Sequence, residues 1–150
     1  MFRLSKKTLN NLLIAYWVIV PLSFYLYIVM TTFKYNISLS DLLRSTPLLN
    51  VAVLISSLLI IQLAVFLYVK SISSSKNGLL GHFLWFVMAQ QILTGNIIGA
   101  GIVFFYERQL PYLEEKQTLG EKILVVSSCI FISLISLLII FITFRTKGRS

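Results

Sequence analysis

Two residue types that build metal and redox sites are almost absent from this chain. Its 150 residues include one cysteine, Cys129, and one histidine, His82. A single cysteine excludes an intrachain disulfide and a metal site made of paired cysteines. A single histidine excludes a bis-histidine haem within one chain. The sequence therefore predicts neither a cofactor nor a metal centre.

Motifs of the common enzyme classes are also absent. The sequence contains no G-x-S-x-G, H-E-x-x-H or Walker pattern. Only five residues are acidic, and all of them lie outside the long apolar segments. An enzyme needs acids, bases or nucleophiles that can meet in one pocket. We therefore predict that the protein is not an enzyme.

Charge is missing from four long windows of the sequence. Residues 8–33, 45–69, 77–106 and 123–144 contain no Asp, Glu, Lys or Arg. Each window is longer than the roughly 20 apolar residues that a helix needs to cross a hydrocarbon core of about 30 Å. Charged residues make up only 12% of the chain, about half the usual share in soluble domains. The windows predict an all-α membrane protein.

The predicted architecture is a four-transmembrane-helix bundle that forms a single domain over 1–150. Its spans cover roughly 11–31, 47–68, 82–105 and 119–144, a length range that suits membrane helices. The connection between the second and third spans is short and polar, so these two helices should form a tight antiparallel hairpin. Pro47 suits the first position of the second span, and Thr118 with Glu121 has the spacing of a capping box before the fourth.

The basic residues favour an orientation with both termini in the cytoplasm. The two tails and the second loop carry eight Lys and Arg residues, whereas the first and third loops carry five. Positively charged segments tend to stay on the cytoplasmic side. The net charge of +8 is explained by lipid headgroups at the span ends and not by nucleic acid. The Lys-, Ile- and Ser-rich composition suggests a bacterial cytoplasmic membrane.

Two glycines in the third predicted span have helix-packing spacing. Gly95 and Gly99 form a G-x-x-x-G pattern, which lets another helix backbone approach closely. The approaching helix could belong to the same chain, or the glycines could form the seam of an oligomer or of a complex with a partner.

A layer of polar side chains is predicted inside the membrane. The third span carries the dense group Gln90, Gln91, Thr94 and Asn96. Residues on the neighbouring spans fall at similar depth, counted from the ends predicted as cytoplasmic: Gln62, Ser133 and Ser136. Such side chains form hydrogen bonds between helices. The layer is therefore either packing that satisfies its own polar groups or the lining of a solute path or pocket.

The third loop is the most polar segment of the chain. It is either a solvated connector or an exposed surface that recognises another protein or peptide. The candidate external recognition residues are Glu107, Arg108, Tyr112, Glu114 and Glu115.

Together these features favour a non-catalytic multi-pass membrane protein that acts through protein interaction. It would be an accessory or regulatory subunit, or an immunity-type protector against a membrane-active peptide. Its expected partners are the lipid bilayer and either another membrane protein or further copies of itself. The alternatives are an oligomeric, holin-like pore and a small transporter of a neutral solute. We favour the first because uncharged helices can satisfy one another without an aqueous lining.

Overall fold

A computed structural model describes residues 5–147, with side chains described as far as Arg145. The basic residues Arg3 and Arg149, which enter the orientation prediction, lie outside this range. Within it the chain forms six α-helices and no strand. They are α1 (Lys6–Tyr35), α2 (Leu39–Ser45), α3 (Pro47–Ile72), α4 (Leu79–Leu93), α5 (Ile97–Glu107) and α6 (Leu119–Lys147).

Three of the helices, α1, α3 and α6, are long and apolar enough to cross a membrane. The mean hydropathy of their most apolar windows is 2.2, 2.5 and 2.9, yet at most 33% of any such window is buried inside the protein. Most of this apolar surface therefore faces outward, as it does in helices surrounded by lipid. The prediction of an all-helical protein with membrane-spanning helices is confirmed at this level.

The segment predicted as the third span is not one helix. It is divided into α4 and α5 by the turn Thr94–Asn96, so the continuous span over 82–105 was wrong. Gly95 has a φ of 80°, a conformation that ends a right-handed helix and favours glycine. The Asn96 side chain then caps α5 by accepting a hydrogen bond from Gly99 N at 3.2 Å. With 15 and 11 residues, neither helix is long enough to span a bilayer.

Helices α4 and α5 pack along each other as a helical hairpin. The indole nitrogen of Trp85, near the start of α4, donates to Glu107 at the end of α5 (3.1 Å). Lys76 pairs with the same carboxylate at 3.3 Å, and its backbone N–H donates to Pro111 O at 2.8 Å. The second and third loops, predicted on opposite sides of the membrane, therefore lie side by side, because the chain reverses between α4 and α5.

The long helices run in directions that follow from their side-chain contacts. Trp17 meets Phe66, and Tyr25 bonds Ser57 at 3.0 Å, so α1 and α3 are antiparallel. Helix α6 starts beside the start of α4 and runs parallel to it, so that the side chain of Gln90 donates a hydrogen bond to Ser136 Oγ at 2.9 Å.

We call the end where α1, α4 and α6 begin the base, and the opposite end the distal end. Helix α6 finishes at the distal end, whereas α1 begins at the base. The four-span count and the placement of both termini on one side are therefore not confirmed.

Several predicted boundaries agree with the structure. Each of the other three predicted spans lies inside a long helix, and Pro47 is the first residue of α3. The capping box forms as expected: Thr118 N donates to Glu121 at 2.8 Å, and Glu121 N donates to Thr118 Oγ1 at 3.3 Å. The core holds an aromatic row in which Phe66 packs against Trp17 and Tyr106 with ring centroids 5.4 and 5.9 Å apart. This row lies next to the polar residues described below.

Candidate intramembrane site

Four of the predicted polar residues meet in a buried hydrogen-bonded layer between α3, α4 and α6. Gln62 donates to Gln90 Oε1 through its side-chain amide and accepts from Gln91 Nε2 at 3.2 Å. Gln90 in turn donates to Ser136 Oγ at 2.9 Å. All four side chains are buried, and Gln62 is completely inaccessible. We name these residues the glutamine layer.

The glutamine layer forms because each residue faces inward from a regular stretch of helix. Gln62 lies ten residues before the end of α3, and Gln90 lies eleven residues after the start of α4. At 1.5 Å per residue both fall about 15–17 Å from the base. An amide buried in hydrocarbon without a partner is costly, so equal depth lets the two side chains satisfy each other.

A second polar cluster surrounds the turn between α4 and α5. The Tyr16 hydroxyl on α1 donates to Asn96 Oδ1 at 2.5 Å, the oxygen that also caps α5. Thr94 bonds only its own helix, donating to Gln90 O at 3.1 Å. Asn96 and Thr94 were predicted in one layer with the glutamines, but they lie at the turn and use different partners.

Ser133 also lies apart from the glutamine layer. Its hydroxyl donates to the Cys129 carbonyl one helical turn earlier, at 2.8 Å. The side chain lines a groove between α4 and α6. Of the two serines predicted on the fourth span, only Ser136 therefore bonds across helices.

Two buried polar atoms next to these clusters have no hydrogen-bond partner among the described residues. They are Gln91 Oε1 and Trp17 Nε1. Each belongs to a side chain that is otherwise tightly packed, since Trp17 is inaccessible and Gln91 is 1% exposed. An unpaired buried polar group lowers the stability of the folded protein. Most buried polar groups near these clusters are therefore hydrogen-bonded, but these two atoms are not.

The two glycines of the G-x-x-x-G pattern do not share a helix face. Gly95 lies in the turn, where a Cβ would meet no atom within 4 Å. Gly99 lies in the first turn of α5, and a Cβ there would collide with the side chains of Gln91 and Asn96. A G-x-x-x-G face needs a continuous helix, whereas α4 ends at Leu93; Gly99 alone is closely packed, with Tyr16 of α1 also within 3.0 Å of a Cβ there. A role of these glycines in an oligomer seam stays a prediction.

The tip of the hairpin is exposed on the surface of the chain. Gly95 is exposed, and three apolar side chains around it are exposed as well: Leu93 to 72%, Ile97 to 64% and Ile98 to 71%. The 15 residues of α4 place this tip about 22 Å from the base, a distance shorter than the thickness of a hydrocarbon core, about 30 Å. We call the segment 93–98 the hairpin tip.

The predicted recognition loop is partly used in contacts within the chain. Glu115 accepts hydrogen bonds from Ser73 Oγ at 2.6 Å and from Ser74 N at 2.7 Å. Partial burial raises the pKa of this carboxyl, but these bonds outweigh it and hold the pKa below the ordinary value. Glu107 is buried and bonds both Trp85 and Lys76. These two acids fasten the loop to the base.

Lys76 takes part in these contacts between the third loop and the base. Desolvation lowers the pKa of its ammonium, but hydrogen bonds to Tyr112 and Glu107 outweigh that effect and raise the pKa above the ordinary value.

The remaining candidates of the predicted recognition loop are exposed: Arg108, which stacks over Phe104 at 4.4 Å, Tyr112 and Glu114. An outward recognition surface on this loop would therefore consist of these three residues. Its role in recognition stays a prediction.

Several residues of these clusters were not predicted from the sequence. Tyr16, Trp85, Ser73 and Ser74 bond to candidate residues across 22 to 80 positions of sequence. A run of three serines before Lys76 is the only local signal, and it indicates a polar turn without revealing its partner.

No family model, curated protein or solved structure matches the chain.

Proposed function

We propose that this chain is a non-catalytic subunit of a membrane complex, and that the hairpin tip is the surface that binds its partner inside the bilayer. The observation that carries the proposal is the exposure of the hairpin tip, where Gly95 and the apolar side chains of Leu93, Ile97 and Ile98 face outward. Backbone outside a helix is tolerated at membrane depth only where protein covers it or where it lines a water-filled cavity. In this chain alone, protein covers Thr94 and Asn96 only in part and leaves Gly95 exposed.

The glutamine layer supports an interaction protein over a pore or transporter formed by one chain. A path for water or solute needs polar groups that face an open space. Here the amides of Gln62, Gln90 and Gln91 are buried and bond one another or Ser136. The layer therefore favours packing that holds the hairpin between α3 and α6. A pore would have to form between copies, around the hairpin tip.

The basic residues support an orientation with the base in the cytoplasm. In the described part of the chain, four basic residues lie at the distal end and seven at the base: Lys6, Lys7, Lys70, Lys76, Arg108, Lys116 and Lys122. Positively charged segments favour the cytoplasmic side. The proposed topology therefore has three spans and one re-entrant hairpin, with the N-terminus inside and the end of α6 outside, in a cell membrane.

Single-cysteine labelling tests this topology. In a Cys129→Ser background, Glu114→Cys in the third loop and Ser71→Cys in the second should react with a membrane-impermeant maleimide from the same side, and Ser40→Cys from the opposite side. The expectation follows from the bonds that join the two loops. Labelling of Glu114→Cys from the Ser40→Cys side would restore the four-span topology and refute the re-entrant hairpin.

Cross-linking in native membranes tests the partner surface. Ile98→Cys in the Cys129→Ser background should form a cross-linked adduct with a short thiol-to-thiol or photoactivatable reagent. The matched control is Phe131→Cys on α6, which is also exposed (53%) and lies at a comparable depth. We expect a discrete adduct at Ile98 and none at Phe131.

The composition of the adduct then separates the functions. Mass spectrometry that finds a second protein at Ile98 supports the accessory or protector role. An adduct of two copies of this chain supports an oligomer, and conductance in liposomes then distinguishes the holin-like pore from a silent assembly. Equal adducts at Ile98 and Phe131, or none at either position, would contradict the proposal that the hairpin tip is a binding surface.

A further inference from the structure

A long apolar groove runs along the outside of the protein between α4 and α6. It has a volume of about 790 Å³, a size typical of ligand-binding pockets. Its walls include Phe83 and Phe86 from α4 and Val125, Cys129 and Ser133 from α6. The groove is separate from the glutamine layer and from the hairpin tip. The groove lies between two helices with different main packing partners. Helix α4 packs chiefly on α5, whereas α6 packs chiefly on α3.

The groove has one polar end and one apolar end. Its polar mouth is at the base, where the lining residues are Asn77, His82, Gln117 and Lys122. From Lys122 to Leu134 the α6 wall extends twelve residues, about 18 Å. One leaflet of a hydrocarbon core is about 15 Å thick. The groove therefore begins at the level of the headgroups and ends near the middle of the bilayer.

The lining of the mouth includes one charged side chain, Lys122, and no acidic one. Among the described residues the one ion pair joins Lys76 and Glu107, so the ammonium of Lys122 is unpaired. The acids nearest the mouth bond other groups: Glu115 accepts bonds from Ser73, Ser74 and Gln117, and Glu121 caps α6. Helix α4 also begins at this mouth without a side-chain cap, and the N-terminus of a helix favours anions.

We propose that this groove binds an anionic phospholipid, with one acyl chain between α4 and α6 and the phosphate at Lys122. The apolar walls match a hydrocarbon chain of one leaflet, and the cationic mouth matches the charge of the headgroup. Ser133 does not oppose this, because its hydroxyl is already bonded to the Cys129 carbonyl. The proposal requires only the membrane placement of the base and does not depend on any partner at the hairpin tip.

Native mass spectrometry of the purified full chain tests the lipid site. The protein is titrated with phosphatidylglycerol and, separately, with phosphatidylcholine of identical acyl chains. We expect one phosphatidylglycerol to be retained at detergent and collision conditions that remove phosphatidylcholine. Lys122→Gln should weaken phosphatidylglycerol retention by about fivefold, the effect of one basic residue near a lipid surface. Lys116→Gln, another exposed base-end cation outside the groove, should leave retention unchanged.

A groove-filling variant gives an independent readout. Ser133→Phe places a ring in the deep part of the groove and should abolish retention, whereas Ser127→Phe, on the exposed side of the same helix, should not. Equal retention of both lipids, or full retention by Lys122→Gln and Ser133→Phe, would overturn the proposal. So would a wild-type dimer that Ser133→Phe dissociates, since the groove would then bind protein.

Discussion

Gln62→Leu is expected to lower the free energy of unfolding by about 2–4 kcal/mol. The substitution removes two interhelical hydrogen bonds, each contributing about 0.6–2 kcal/mol inside a membrane. It also leaves Gln90 Oε1 and Gln91 Nε2 buried without the partners they have in the wild type. Such orphaned groups lose their interaction without regaining water. Gln62 should therefore be the most sensitive position of the glutamine layer.

Equilibrium unfolding in mixed detergent micelles, followed by circular dichroism, measures this effect. Ser136→Ala removes only the acceptor of Gln90 Nε2 and should cost less, about 1 kcal/mol. Ser127→Ala, on the exposed side of α6, should change stability by less than about 0.5 kcal/mol. The double variant Gln62→Leu/Gln90→Leu should recover part of the loss, because replacing both partners by apolar groups leaves fewer orphans.

The opposite result would assign the layer a different role. If Gln62→Leu unfolds like the wild type but no longer forms the cross-linked adduct, or loses conductance in liposomes, the amides serve a ligand or path and not packing. The same logic applies to Gln90→Leu, which the packing interpretation requires to remain folded. Stability and function are thus read out separately for the same side chains.

The long helices could be predicted because length and charge alone determine them. A window without charge that exceeds the thickness of the bilayer has few alternatives to a span, and α1, α3 and α6 contain the three spans predicted from such windows. The glutamine layer could be predicted in part for a related reason. Counting residues from a helix end gives depth whenever the helix is regular, and Gln62, Gln90 and Ser136 all lie on regular stretches.

The break between α4 and α5 could not be predicted from length, because the window at 77–106 is as apolar and as long as a span. The decisive signal is local: Thr94-Gly95-Asn96 combines a residue suited to positive φ with a good N-cap. The same glycine also fits a helix-packing pair with Gly99, which predicts one continuous helix. A continuous helix places the third loop at the end opposite the second loop, whereas Glu107 and Glu115 bond residues of the second loop.

Gly81→Ala is expected to destabilise the base by about 1–3 kcal/mol, the usual range for overpacking. Gly81 lies in the first turn of α4, and its N–H donates to Ser75 O at 3.3 Å. A Cβ at this position would overlap the backbone carbonyl of Lys76. Backbone cannot rotate away as a long side chain can, so either the turn or the helix start must move.

Moving this turn displaces Lys76, which bonds both Glu107 and Pro111. The variant should therefore loosen the hairpin at its base as well as lower its stability. The matched control is Gly101→Ala in α5, where a Cβ meets no atom within 4 Å and the better helix propensity of alanine should add about 0.5–1 kcal/mol. Unfolding in mixed micelles gives the stability, and the maleimide labelling rate of Glu114→Cys reports the loosening. If Gly81→Ala matches Gly101→Ala in both readouts, the close contact between Gly81 and Lys76 does not hold the hairpin, and the fastening rests on Glu107 and Glu115 alone.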